Sequence, residues 1–227
     1  MDTTAVKTLD VTKIYHQGKQ NEVIPVKKVS LEIENGSVSV LKGPSGSGKT
    51  TLLSMIGCQV KPSSGEIIIK GNRISKLPEK FANLYKREHI GFIFQHFNLI
   101  PDLSVFDNIM LPLLPAGITL KERKIRADKL LNQFDLEKRK FFKTKLLSGG
   151  EQQRVAISRA LINGCTILLA DEPTAHLDGK LTADFLSYVK LLKESDYTII
   201  IASHDSSIVQ NPVVDEVIEM KNGEVAT

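Results

Sequence analysis

The stretch Gly43-Pro44-Ser45-Gly46-Ser47-Gly48-Lys49-Thr50-Thr51 has the residue types and spacing to bind phosphate. It satisfies G-x-x-x-x-G-K-[ST], follows the strand-like SVSVL and opens the helix-like TTLLSMIG. Glycines let the backbone wrap closely around an anion, and the bare N–H groups at the helix start meet its charge. Lys49 can then reach the outer phosphates and the Thr50 hydroxyl can ligate Mg²⁺. A glycine-rich turn with no ligand is the bland alternative, and the strand–loop–helix context weighs against it. A dinucleotide fingerprint is excluded, because Gly46 and Gly48 are not followed by the third glycine which that motif requires.

A phosphate loop needs a carboxylate for its metal, at the C-terminal end of a buried strand. Ile167-Leu168-Leu169-Ala170-Asp171 supplies one, and Glu172 follows at once. Adjacent carboxylates point to divided labour, Asp171 for Mg²⁺ and Glu172 to orient or deprotonate an attacking water. The sequence contains no N-K-x-D guanine motif, which disfavours a GTPase.

About a hundred residues after the first loop comes Ser148-Gly149-Gly150-Glu151, an S-x-x-E capping box. Ala156, Ile157, Ala160 and Leu161 give the helix it opens a buried face. A well-capped helix start is the ordinary reading, but each glycine costs roughly 1 kcal/mol of helix propensity relative to Ala. Close approach of something to the backbone would explain them, since a helix N-terminus is an anion site. The Ser148 hydroxyl can accept from a capped N–H and still donate to a phosphate oxygen.

The elements that must position these residues fall into three regions. From about 6 to 42 the pattern is of short strands (VKTLDV, VKKVSLEI, SVSVL), and GEIIIKGNRI at 65–74 adds a hairpin-like stretch. From about 77 to 160 it is mostly helical, with Ile125, Leu130, Leu131 and Phe134 expected along one face. CTILLADEP, a helix over about Leu181 to Lys193, and YTIIIASHD then make two apolar strands joined by a helix, the mark of a parallel sheet buried on both faces.

The 227 residues, 41% hydrophobic and 25% charged, suit one large domain. A net charge of +4 from 30 basic and 26 acidic residues, well mixed, is too little asymmetry for a nucleic-acid partner, and none is expected. Cys58 and Cys165 match no metal or redox spacing and read as small buried hydrophobes in a reducing compartment. No secretory h-region is expected at the N-terminus. The longest apolar runs, such as Thr166 to Ala170, fall far short of the roughly 20 residues of a membrane helix.

LSGGEQQRVAISRAL resembles the signature motif of ATP-binding cassette (ABC) ATPases, and with GPSGSGKT, ILLADE and SHD the resemblance runs over nearly the whole chain. It implies an α/β fold: a P-loop NTPase core with a mixed, mainly parallel sheet, an N-terminal antiparallel β subdomain and an inserted α-helical subdomain. The single domain 1–227 then divides into a core at about 1–95 and 160–227 and a helical subdomain at about 96–159. The resemblance also implies a head-to-tail homodimer, each ATP lying between the P-loop of one copy and Ser148, Gly149, Gly150 and Glu151 of the other.

Within that resemblance Gln95 matches the glutamine that touches Mg²⁺ and the attacking water, and His204 the histidine at the γ-phosphate. Tyr15 matches the aromatic that stacks on adenine, with a core tyrosine as the alternative. Asp178 matches the aspartate of the loop that crosses to the other subunit, where His176 replaces a smaller or amide residue. LEKRKFFKTK is unusually basic and reads as a solvated face rather than a contact with anionic lipid.

IGFIFQHFNLIPDLSVFDNIMLPL resembles the lipoprotein-release, macrolide-export and antimicrobial-peptide-resistance branch. That implies an integral membrane permease as partner, a peripheral place on the cytoplasmic face of the cell membrane, and docking over Gln95 to about Leu114 through exposed Phe97, Leu99, Ile100 and Leu103. A soluble ABC-type ATPase of DNA repair or translation is the other reading, which tandem cassettes or long inserts would favour.

Overall fold

The computed structural model describes residues 3–175 and 178–226, so the expectation for His176 falls outside it. The chain opens with β1 (Thr4–Tyr15) and β2 (Val23–Glu34), followed by β3 (Val38–Lys42), α1 (Lys49–Ile56), β4 (Ser64–Ile69) and β5 (Asn72–Arg73). Next come α2 (Glu79–His89), β6 (Ile90–Ile93), α3 (Val105–Met110), α4 (Leu120–Gln133) and α5 (Gly149–Leu161). It ends with β7 (Ile167–Asp171), α6 (Gly179–Lys193), β8 (Thr198–Ser203), α7 (Ser206–Val209), β9 (Glu216–Lys221) and β10 (Glu224–Val225).

Two sheets result. One is antiparallel, in the order β2-β1-β4-β5. The other runs β10-β9-β3-β8-β7-β6 and is parallel except for β10. The short N-terminal strands expected from the pattern are in fact two 12-residue strands. Register shifts along the pair, with left-handed backbone at Asp10 and Lys28, break the alternation that a sequence pattern can follow.

The period of two distributes the parallel sheet over two apolar clusters. Val38, Val40, Leu168, Ala170, Ile199 and Ile201 lie in one, with side chains of α3, α4, α5 and α6. Leu41, Ile167, Leu169, Ile200 and Ala202 lie in the other, with α1 and the antiparallel sheet. Strands covered on both sides need continuous apolar runs, which is why ILLA and TIIIA carry no polar residue between their apolar ones.

The mostly helical stretch contains one strand of the parallel sheet, β6, paired with β7. On α4 the buried face is Ala127 and Leu131, continued by Phe134, while Ile125 is 60% exposed. Ile125 and Ala127 are two positions apart, about 200° around a helix, so large apolar residues alone do not define the buried face. α6 starts at Gly179, two residues earlier than expected, because the Asp178 carboxylate accepts from the Leu181 N–H and caps it.

Among the described residues no helix is long and apolar enough to cross a membrane. Both cysteines are free thiols. Burial pushes Cys165 up to about 12 and half-buried Cys58 up to about 11, so neither is a thiolate at neutral pH.

Candidate functional site

The P-loop joins β3 to α1, and its conformation explains its glycines. Gly48 caps α1 with φ 102°, and a Cβ there would lie 2.2 Å from the Pro25 carbonyl oxygen of β2. A Cβ on Gly43 would lie 2.2 Å from the Met220 carbonyl oxygen of β9. The loop is thus wedged between two strands from opposite ends of the chain. The Gly223 N–H also donates to the Ser47 carbonyl oxygen at 3.1 Å.

Lys49 is buried and donates to the carbonyl oxygens of Gly43 (2.7 Å) and Pro44 (3.1 Å), with its ammonium 3.7 Å from Glu172 Oε1. The Thr50 hydroxyl donates to Asp171 Oδ1 at 2.9 Å. Ser47 Oγ is buried with no hydrogen-bond partner. An orphaned hydroxyl beside an N–H-rich turn fits an absent phosphate oxygen better than an empty loop.

Parallel strand order brings the other residues to this edge, because β8 lies between β3 and β7. Asp171 ends β7, and burial raises its carboxyl above the ordinary value, opposed by the Thr50 hydrogen bond and reinforced by the charge of Glu172. A nearby cation would reverse that balance. Glu172 follows with φ 42°, a left-handed turn that costs on the order of 1 kcal/mol and gives two neighbouring carboxylates different partners. Glu172 Oε1 meets His204 Nδ1 at 2.9 Å, and Oε2 accepts from the Ser203 hydroxyl at 3.3 Å. His204 is 71% exposed, so a ring that orients Glu172 also presents its other edge to solvent.

Pro25, the P-loop residues from Pro44 to Thr51, Gln95, Glu172 and His204 line a cleft of about 380 Å³. The structure therefore brings together the residues expected at the phosphates and the attacking water. It does not bring in Tyr15, which stands at the end of β1 opposite Val23, under the ammonium of Lys13. At 37% exposure Tyr15 is not a core residue.

The signature residues Ser148, Gly149, Gly150 and Glu151, and Asp178 too, lie outside that cleft. Ser148 caps α5 by accepting from the Glu151 N–H, while Glu151 Oε2 accepts from the Ser148 N–H at 2.8 Å, a complete capping box. Ser148 and Gly149 are exposed and Gly150 is buried. A Cβ on Gly150 would lie 2.5 Å from Leu181 Cδ2, so its small size lets α6 pack closely against this turn. The Ser148 hydroxyl also donates to Glu151 Oε2 at 3.0 Å, which leaves it committed until a better acceptor arrives.

Phe97 is buried and Leu99 packs on the core, so of the apolar residues expected in the docking stretch Ile100 is the exposed one. A cleft of about 860 Å³ does open beside that stretch, but α2 supplies much of its apolar lining, including exposed Phe81 and Leu84, with Phe92, Phe94, Pro112 and Pro115. The basic run lies at the surface with its charges paired: Arg139 with Glu151, Lys140 with Asp128, and Lys143 and Lys145 with Asp102. Ser203, the neighbour of His204, and Arg139, within the basic run, are the residues the sequence reading passed over. The first was signalled by adjacency in SHD; the second needed the fold to bring two distant charges together.

Comparison with known proteins agrees with the geometry. The sequence model for the ABC transporter family matches residues 26–175. The macrolide export ATP-binding/permease protein MacB 1 of Aeromonas hydrophila is 41% identical over 206 residues, 91% of this chain and 32% of that protein. An uncharacterized ABC transporter ATP-binding protein of Thermotoga maritima is 37% identical over 220 residues, covering 97% and 93% of the two chains. The dimeric post-hydrolysis structure of the ATP-binding cassette MJ0796 bound to ADP and Pi superposes with a TM-score of 0.87 at 39% identity, covering 98% and 97%. The chain spans about a third of the length of the macrolide-export relatives it matches. From the strand beside the P-loop to the turn after Asp171, over more than half its length, the chain belongs to the ABC transporter family.

Proposed function

We propose that the chain hydrolyses ATP to ADP and phosphate as the nucleotide-binding subunit of an ABC transporter or mechanotransmission complex, working as a head-to-tail pair that powers a membrane permease. One observation carries this reading. The phosphate loop and its carboxylates share one cleft, while the second anion-receptive turn, at Ser148, is exposed outside it. A turn so placed serves a nucleotide held by another copy, as the dimeric form of the solved relative supports.

In this reading Gly43 to Thr51 cradle the phosphates and Lys49 exchanges its carbonyl contacts for the outer phosphate oxygens. Glu172 accepts the proton of the attacking water, and His204, tied to the same carboxylate, fixes its orientation. Ser203 holds the second oxygen of that carboxylate. Tyr15, at the end of β1, stacks on adenine, and Asp178, beside the signature turn through Leu181, crosses to the other copy.

Mg²⁺ fits the donor set, since Thr50 and Asp171 offer hard oxygens 2.9 Å apart. Such a metal completes its shell with phosphate oxygens and water. Thr50, Asp171 and Gln95 would hold it, and it would neutralise charge on the phosphates. We assign the core to about 1–95 and 160–227, the helical subdomain to about 96–159, the permease contact to the stretch from Gln95 to about Leu114 with the α2 side of its cleft, and the site of action to the cytoplasmic face of the membrane.

Glu172→Gln is the direct test. Hydrolysis should slow by about 10²–10⁴-fold, the usual span of general-base assistance, with an ATP-bound dimer accumulating on size exclusion. A variant that hydrolyses at the normal rate rules out the base assignment.

A further inference from the structure

The carboxylate of Glu151 sits in the first turn of α5, beside the exposed N–H groups that the composite-site reading turns toward the other copy's triphosphate. A carboxylate there has two opposed effects. It completes the capping box and so fixes the turn. It also places a negative charge where another anion must arrive, and it occupies the Ser148 hydroxyl.

Arg139 resolves the conflict. Its Nε donates to Glu151 Oε1 at 2.6 Å, leaving Oε2 for the cap. Its guanidinium lies 4.8 Å from the centre of the Phe142 ring. The backbone around it is pinned to the start of α3, the Val105 N–H donating to the Phe142 carbonyl oxygen at 2.9 Å and the Phe106 N–H to that of Lys140 at 3.0 Å. The pair is therefore held by a fixed scaffold rather than by two free surface side chains. Burial pushes the Glu151 carboxyl up, but Arg139 and Ser148 together hold it below its ordinary value, so it is anionic throughout the neutral range.

We propose that Arg139 is a positioning residue for the signature turn, neutralising Glu151 and steering its carboxylate into the cap so that the N-terminus of α5 still attracts the other copy's triphosphate. The inference rests on the composite-site reading. It adds a residue from the helical segment, in the sequence run that looked merely solvated, to the machinery of that site.

The test is a charge cycle read by steady-state hydrolysis. Arg139→Gln leaves an uncompensated carboxylate in the turn that receives the phosphates and should raise the half-saturating ATP concentration about three- to tenfold with a smaller change in kcat. ATP affinity of the monomer's own P-loop should stay unchanged, and raising the ionic strength should shrink the defect. Adding Glu151→Gln, which keeps a capping side chain, should restore the half-saturation point in the double variant. An unchanged half-saturation point in Arg139→Gln, or no rescue by Glu151→Gln, overturns the proposal. Ser148→Arg is run alongside: if it too leaves ATP-driven pairing intact, the composite-site reading itself falls, whereas a dead Ser148→Arg beside a silent Arg139→Gln sinks the neutralisation alone.

Discussion

At the scale of single residues, Asp171 sets burial against charge. Asp171 carries a charge its burial disfavours, and Thr50 offsets only part of that cost. A group whose folded value is raised contributes stability that is present below its unfolded value, near 3.9, and lost as pH rises through the folded value. Asp171→Asn keeps the acceptor for Thr50 and removes the charge. The unliganded variant should therefore gain about 0.5–2 kcal/mol near pH 7, seen as a higher melting temperature, and the gain should vanish in acid. The same variant should lose Mg²⁺-dependent hydrolysis, and a variant that is both no more stable and fully active contradicts the assignment. Asp171 and Glu172 were legible from their place after an apolar strand. The exchange of partners between them was not, because it depends on a left-handed φ at Glu172 that no spacing encodes.

At the scale of elements, the two ends of the P-loop are constrained differently. Gly46 has φ 79° and open space where a Cβ would go, whereas Gly48 combines φ 102° with the Pro25 carbonyl at 2.2 Å. Gly46→Ala should cost about 1–2 kcal/mol for the left-handed backbone alone. Gly48→Ala must also displace β2 and should cost at least about 3 kcal/mol, so denaturant midpoints separate the two. Equal midpoints would mean that β2 does not brace the loop. The P-loop between strand and helix, the capping box and the parallel sheet were readable because each is written in local pattern, and the fold class was readable from the family resemblance those motifs carry. The long bulged strands were not, and neither was the Arg139–Glu151 pair, where residues 12 apart meet because the turn before Phe142 is tied to α3. At Gly150 the sequence shows the need for close approach but not that Leu181 of α6 is one of the groups that approach.

At the scale of the whole molecule, the proposed function sets the exposed signature turn, which lies outside the P-loop cleft, against a second copy. Lys49→Ala and Ser148→Arg chains should each be nearly inactive alone. Mixed in equal amounts, they form some pairs in which one site has both wild-type halves, and hydrolysis should return to about a quarter of the normal rate if sites act independently. Mixing without recovery would show that the two elements do not meet across copies.

The same sheet order has a consequence for how the protein is made. β3, which carries the P-loop, is flanked by β8 and β9, and Val38 is held by Asp215, 177 residues away in sequence. All the nucleotide-site motifs are synthesised before β9, yet the strand beneath the P-loop lacks one of its two neighbours until β9 follows. Pairing so distant in sequence is slow to form and leaves sticky edges bare meanwhile. Nucleotide capture thus becomes a late event in biogenesis, and a chain that stalls short of residue 215 would carry every motif of the site without the means to hold them in place.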